Sequence, residues 1–188
     1  MGKSASGKDT VYKLLLERVP GLKKVVLYTT RPIRDGEREG VEYHFTSEDK
    51  LNEVRKSGRL IEARTYKTVF GPWSYFTVDD GQFDLKQHDY LMIGTLESFE
   101  KMREYFGAQV MVPIYIEVED GVRLARALDR ERMQKTPKYA ELCRRYLADE
   151  RDFNEDNLKR CGIEKRYENL VLEDCLEEII GDIERSML

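Results

Sequence analysis

Met1-Gly2-Lys3-Ser4-Ala5-Ser6-Gly7-Lys8-Asp9-Thr10 opens the 188-residue chain, and the rest of the sequence is organised around it. Gly2, Gly7 and Lys8 fit a phosphate-binding loop, in which two glycines flank four residues and a lysine follows. Such a loop turns its backbone N–H groups inward onto phosphate oxygens, and glycine tolerates the backbone angles this requires. Lys8 adds a flexible cation for the outer phosphates. A helix starting at once would place the positive end of its dipole under the anion, and Val11, Leu14, Leu15 and Val19 give that helix an apolar face. Two features depart from the pattern. Asp9 stands where a hydroxyl residue normally follows the lysine, with Thr10 one place later. Only Met1 precedes Gly2, so no apolar strand leads into the loop. Without an inner strand a sheet is left with unpaired edges and exposed apolar side chains. Met1 is therefore expected to be an internal methionine of a longer natural chain whose upstream segment completes the sheet. The alternative is a true start, with the gap closed by another strand or by a partner chain.

The length suits one domain with a sizeable core. A hydrophobic share of 40% and an aromatic share of 10% are those of a globular chain. The net charge of −4 argues against a general nucleic-acid binder. Cys143, Cys161 and Cys175 lack zinc spacing and cannot all pair with one another, which suggests reduced thiols and a cytoplasmic setting. The longest apolar run, Val110 to Ile116, is too short to span a membrane and is interrupted by Pro113.

Pro20 and Gly21 end the first helical pattern, and Val25 to Tyr28 is a short apolar strand. In the stretch Thr29 to Phe45, glycines and Pro32 exclude a long helix, and Val41, Tyr43 and Phe45 alternate like a strand. Ser47 to Ser57 is expected to be a helix capped by Ser47. Leu60 to Thr65 and Trp73 to Val78 are expected strands, with a turn at Gly71-Pro72. Further strands are expected at Tyr90 to Ile93, Val110 to Val118 and Asn169 to Leu172. Helices are expected at Thr95 to Phe106, from an Asp120 cap to about Met133, at Tyr139 to Phe153 and at Leu176 to Leu188. Strands alternating with helices imply an α/β fold with a mainly parallel sheet and helices on both faces.

Thr29-Thr30-Arg31, Arg34, Gly36-Glu37, Gly40 and Tyr43 resemble the GMP-binding segment of guanylate kinases. The order of the parts resembles that family over nearly the whole chain. The loop is followed by this segment, by Leu60-Ile61-Glu62, by Phe70-Gly71 in the place of a frequent Tyr-Gly, and by Arg144-Arg145 in the place of lid arginines. The resemblance implies a P-loop NTPase-like fold with an inserted NMP-binding lobe and a helical lid. It divides the single domain into 1–28 (loop and core), 29–89 (NMP-binding lobe), 90–125 (core), 126–150 (lid) and 151–188 (C-terminal core). It also implies transfer of the γ-phosphate of ATP to GMP or dGMP, with Mg²⁺. The loop from Gly2 through Lys3, Ser4, Ala5, Ser6, Gly7, Lys8 and Asp9 to Thr10 would hold ATP, and Arg31, Arg34, Tyr43, Glu62 and Phe70 would hold GMP. Lys8, Arg34 and Arg145 would act on the transferring group. Arg126, Arg130, Arg132 and Arg144 are further lid candidates, and Asp9 and Thr10 are candidate metal ligands.

The chemistry accords with those roles. Guanidinium forks suit a dianionic phosphate. One carboxylate at Glu62 can accept both N1–H and the exocyclic amine of guanine, a donor pair that adenine lacks. The departures are Leu27 in place of a base-contacting serine, Leu91-Met92-Ile93-Gly94 without the family's two acids, and Glu173 in place of an asparagine near the adenine of ATP. The rival readings are a non-catalytic phosphopeptide-binding module of the same fold and a kinase for another nucleoside monophosphate.

Overall fold

The computed structural model describes residues 1–68 and 71–186. In chain order the elements are α1 (Lys8–Arg18), β1 (Lys23–Lys24), β2 (Tyr28–Thr29), β3 (His44–Phe45), α2 (Glu48–Lys56), β4 (Leu60–Thr68), β5 (Gly71–Val78), β6 (Tyr90–Leu91), α3 (Leu96–Phe106), a 3₁₀ turn (Ala108–Val110), β7 (Ile116–Glu117), α4 (Asp120–Arg132), α5 (Tyr139–Asp152), α6 (Glu155–Arg160), β8 (Tyr167–Glu168) and α7 (Leu172–Ser186). Two compact units result. The first comprises Met1–Pro20, Ile93–Glu97 and Val112–Leu188; the second comprises Gly21–Met92 and Ser98–Met111. The mixed α/β architecture agrees with the class expected from the sequence, with parallel pairings β1–β6, β2–β3 and β7–β8.

In the first unit, α1 packs on α7. Val11 and Leu15 of α1 are buried, as are Cys175, Leu176 and Ile179 of α7, both sets at helical spacings of three and four. β7 and β8 pair in register Ile116↔Tyr167, and both residues are buried together with Tyr115 and Val118. Met1 runs beside this pair: its N–H group donates to the Ile114 carbonyl and its carbonyl accepts the Ile116 N–H at 2.8 Å.

In the second unit, a four-stranded sheet has the order β3-β2-β5-β4. β4 and β5 form a long antiparallel hairpin, from Leu60↔Val78 to Thr68↔Gly71. Leu51 and Val54 of α2 pack on Phe76 and Val78, with Tyr28, Leu60 and Ala63 around them. Each such buried side chain contributes about 1.5–3 kcal/mol. Ser47 caps α2 by accepting the Lys50 N–H.

Several boundaries differ from those expected, for physical reasons. The run from Val110 to Val118 starts on the last residue of the 3₁₀ turn, continues as irregular chain and is a strand only at Ile116–Glu117; Pro113 lacks an N–H for a ladder, and Val110 and Val112 are exposed. Gly71 and Pro72 are not a turn but the first residues of β5, paired with Thr68 and Lys67, a position that tolerates proline. Asp120 does not cap α4. Glu119 does, accepting the N–H groups of Gly121 and Val122 at 2.9 Å, because the Asp120 carboxylate is bound elsewhere. The last strand lies at Tyr167–Glu168, two residues earlier than expected, and α7 then starts at Leu172. α6, capped by Asn154, was absent from the sequence reading.

Candidate functional site

The first unit presents the loop. Gly7 has φ 85°, and its carbonyl accepts the N–H groups of Thr10 (2.9 Å) and Val11 (3.0 Å), which starts α1. A Cβ at Gly7 would collide with Asn169 Nδ2, and one at Gly2 would lie 2.6 Å from the Ile116 carbonyl oxygen. Neighbouring groups therefore require these glycines, besides any bound phosphate. Asn169 is buried and donates to the Ser6 carbonyl at 2.8 Å. Glu173, which stands in place of an asparagine expected near the adenine, is ion-paired with Arg18 on the surface. Ala5 holds φ 64°, a conformation that costs a non-glycine residue about 1–2 kcal/mol. Lys8 begins α1, and Asp9 and Thr10 are exposed in its first turn.

Around the loop lies a charged cluster. Lys3 Nζ sits 2.8 Å from Glu150 and 3.2 Å from Asp120. Burial opposes its charge, but those two carboxylates outweigh it and raise the Lys3 pKa. The Ser4 N–H donates to Asp149 Oδ2 at 2.7 Å. Arg123, 1% exposed, donates to Asp120 at 2.8 Å and to Glu150, and its guanidinium lies 4.1 Å from the centroid of the Tyr146 ring. Arg123 was not among the sequence candidates; a lone arginine at a helical core position carries no signal until its carboxylate partners are known. An adjoining cavity is lined in part by Ser4, Arg123, Arg130, Arg145 and Tyr146. Arg145 Nε is buried without a hydrogen bond. Arg130 and Arg145 thus share a cavity with the loop. Arg126 instead donates to the Asn169 carbonyl at 3.0 Å, while Arg132 pairs with Asp129 and Arg144 with Glu141 at the surface.

The second unit brings together another set. Arg31 is 4% exposed. Its Nη1 and Nη2 donate to Glu37 at 2.7 and 2.5 Å, and its guanidinium lies 5.1 Å from the Tyr43 ring and 5.4 Å from the Phe45 ring. The Arg31 fork holds the Glu37 carboxyl at about 2, and Glu37 in turn accepts the Arg34 N–H at 2.9 Å. Arg34 is exposed on the same loop. Tyr43 meets Tyr75 edge to ring at 5.6 Å, and the Arg31 pKa is raised by Glu37 first, with Tyr75 beside it. Glu62 lies on β4 with a fully buried side chain. Its Oε1 accepts the Thr77 hydroxyl at 2.8 Å. Arg64 Nε approaches Oε2 to 3.1 Å, yet too obliquely to bond, and Oε2 is buried without a hydrogen-bond donor. Burial raises the Glu62 pKa against the opposing pull of Arg64 and Thr77. Tyr75 and Arg64 were missed in the sequence, although the alternation of a strand puts residues 62 and 64 on one face. Phe70 lies outside the described residues.

No group of three or more His, Cys, Asp or Glu side chains among the described residues is arranged to hold a metal ion. Asp9 and Thr10 offer a carboxylate and a hydroxyl at consecutive, exposed positions of the first turn of α1, oxygen donors of the kind magnesium takes.

A family model described as guanylate kinase matches residues 1–79. A guanylate kinase of Chlorobaculum tepidum is 32% identical over 127 residues, covering 66% of this chain and 63% of that protein. The matched stretch thus spans just under two thirds of that relative's length. A guanylate kinase of Chlorobium luteolum is 25% identical over 187 residues, covering 94% of this chain and 83% of the relative. A crystal structure of guanylate kinase from Anaplasma phagocytophilum superposes with a TM-score of 0.62 at 24% identity, over 98% of this chain and 82% of that one.

Proposed function

We propose that the chain is a guanylate kinase, in line with the family model and the relatives it matches, and that it transfers the γ-phosphoryl group of ATP to GMP or dGMP, giving ADP and GDP or dGDP. The observation that carries this reading is Glu62: a buried carboxylate with one oxygen lacking a donor, on a strand face beside Arg64 and Tyr75. Guanine supplies the missing donors through N1–H and its amine; adenine does not.

The reaction breaks the bond between the γ-phosphorus and its bridging oxygen, and forms one from a GMP phosphate oxygen to the same phosphorus. That oxygen is already anionic, so the step needs placement and charge neutralisation rather than a general base. In this reading Lys8 and the loop from Gly2 to Thr10 hold the ATP phosphates. Arg31, Arg34 and Tyr43 hold the GMP phosphate, and Arg130 and Arg145 meet the transferring group from the cavity beside Ser4. Magnesium, held by Asp9 and Thr10 together with the nucleotide, would supply charge neutralisation between phosphates. Among the described residues no helix is long and apolar enough to cross a membrane. The free cysteines Cys143, Cys161 and Cys175 accord with a reducing, cytoplasmic setting.

A coupled ADP-release assay with ATP, Mg²⁺ and each of GMP, dGMP, AMP, CMP and UMP tests this. Turnover confined to GMP and dGMP is expected. Turnover on another monophosphate alone would move the specificity, and none on any would leave a binding module.

A further inference from the structure

Arg64 contributes a charge to the base pocket that the monophosphate reading above does not use. It precedes no loop and faces no solvent: its side chain is 9% exposed, on the same face of β4 as Glu62. Across the hairpin Glu62 stands opposite Thr77, and Arg64 stands opposite Tyr75. Arg64 therefore lies on the side of Glu62 that leads to Tyr75, Tyr43 and Arg31, and its charge is felt at the Tyr43 hydroxyl. Arg64 turns one edge of its guanidinium to the Glu62 carboxylate. Nη2 is 3.5 Å from Oε1, Nε is 3.1 Å from Oε2, and Oε2 still accepts no hydrogen bond.

The edge of guanine runs in the order amine, N1–H, O6, N7. If the carboxylate accepts the first two, the next groups in line are two acceptors. In a nucleotide with its base turned away from the sugar, O6 and N7 lie on the side of the 5′-phosphate. That is the side on which Arg64 stands, between Glu62 and the Arg31–Tyr43–Tyr75 cluster. A guanidinium donating to O6 and N7 is also the commonest way in which proteins read guanine. We propose that Arg64 is a second base-reading residue, which donates to O6 and N7 of guanine while Glu62 accepts N1–H and the amine. The pair presents acceptor, acceptor, donor against donor, donor, acceptor. Adenine, with an amine at the sixth position, then meets a cation where guanine meets a partner. This specificity rests on the guanylate kinase reading, and it offers a counterpart to the contact that Leu27 cannot make.

The test is equilibrium binding by calorimetry to the full chain, with GMP, 6-thio-GMP, 7-deaza-GMP and IMP. The two modified guanines weaken the acceptor at the sixth position or remove the one at N7, and keep N1–H and the amine. IMP keeps both acceptors and lacks the amine. The wild-type protein is expected to prefer GMP to 6-thio-GMP and to 7-deaza-GMP by about tenfold each. Arg64→Met should weaken GMP by ~10- to 100-fold, erase both preferences and leave the GMP-to-IMP ratio intact. Arg64→Lys, which keeps a cation beside Glu62, should restore part of the preference and decides the matter if Arg64→Met does not fold. A wild type that binds GMP but treats the modified guanines alike overturns the role of Arg64 and spares the kinase reading. Equal losses on every ligand in Arg64→Met make Arg64 a support for Glu62 and likewise overturn it. A wild type that binds none of the four overturns both.

Discussion

Glu62 has to be ionised to accept two hydrogens from a base, and its burial works against ionisation. Glu62→Gln replaces one acceptor oxygen with a donor, and it should lower kcat/KM for GMP by about 2–4 kcal/mol in transition-state binding while leaving KM for ATP unchanged. The same burial sets a pH dependence. With the folded pKa raised above the ordinary carboxylate value of about 4.3, the carboxyl takes up its proton earlier as pH falls. KM for GMP should therefore rise on acidification while the ordinary surface carboxylates are still charged. Stability moves the other way: this group's contribution grows as pH falls through its folded value, because the neutral form suits the buried site. A pH profile of KM checks the sign, and the step should vanish in Glu62→Gln. At Asp9 the expected outcome is a metal effect. Asp9→Asn should raise the Mg²⁺ concentration needed for half-maximal rate; an unchanged titration would leave Asp9 as no more than a favourable charge in the first helical turn.

Among the elements, α2 supplies half of the core beneath the hairpin, so its cap bears on the sheet that carries Glu62. Ser47→Ala removes the acceptor for the Lys50 N–H and should cost about 1 kcal/mol in urea denaturation, with Ser47→Gly costing only a few tenths. This cap was legible in the sequence, as were the amphipathic helices, because caps and periodicity are local. The Arg31 loop was legible for the same reason: Arg31, Glu37 and Tyr43 lie within a dozen residues of one another. What stayed hidden depended on distant partners. The Arg64–Tyr75 pairing needs the hairpin register, and the turn assigned to Gly71-Pro72 displaced that register. Asn169 carried no signal as a neighbour of the loop, since its contact with Ser6 bridges 163 residues. Short parallel strands were overestimated because runs such as Val110 to Val118 carry strand-like residues without a continuous ladder.

In the molecule as a whole, the first unit is tied together by Lys3 and Arg123 set against Asp120, Asp149 and Glu150. Arg123→Met removes a buried charge and leaves three carboxylates facing one lysine. Because Asp120 and Glu150 are partly exposed and keep Lys3, it should cost ~1–3 kcal/mol at neutral pH, out of a margin of about 5–15 kcal/mol. Burial pushes the Asp120 pKa up, but Arg123 and Lys3 outweigh it and hold the carboxyl below its ordinary range, so the deficit should shrink on acidification as Asp120 takes up its proton; urea denaturation at two pH values measures it. The reach of these ties also sets an order of events. The second unit is drawn from one stretch of chain, Gly21 to Met111, interrupted only by Ile93–Glu97. The supports of the loop come from much later: Asp149 meets Ser4 across 145 residues, and Glu150 meets Lys3 across 147. Closing such long loops is entropically slow, and domains assembled from nearby contacts form sooner. On the ribosome, the pocket of Glu62 and Arg31 can therefore take shape while the phosphate loop still waits for its props. In refolding followed by pulsed hydrogen exchange, the β4 and β5 amides should gain protection before the amide of Ser4.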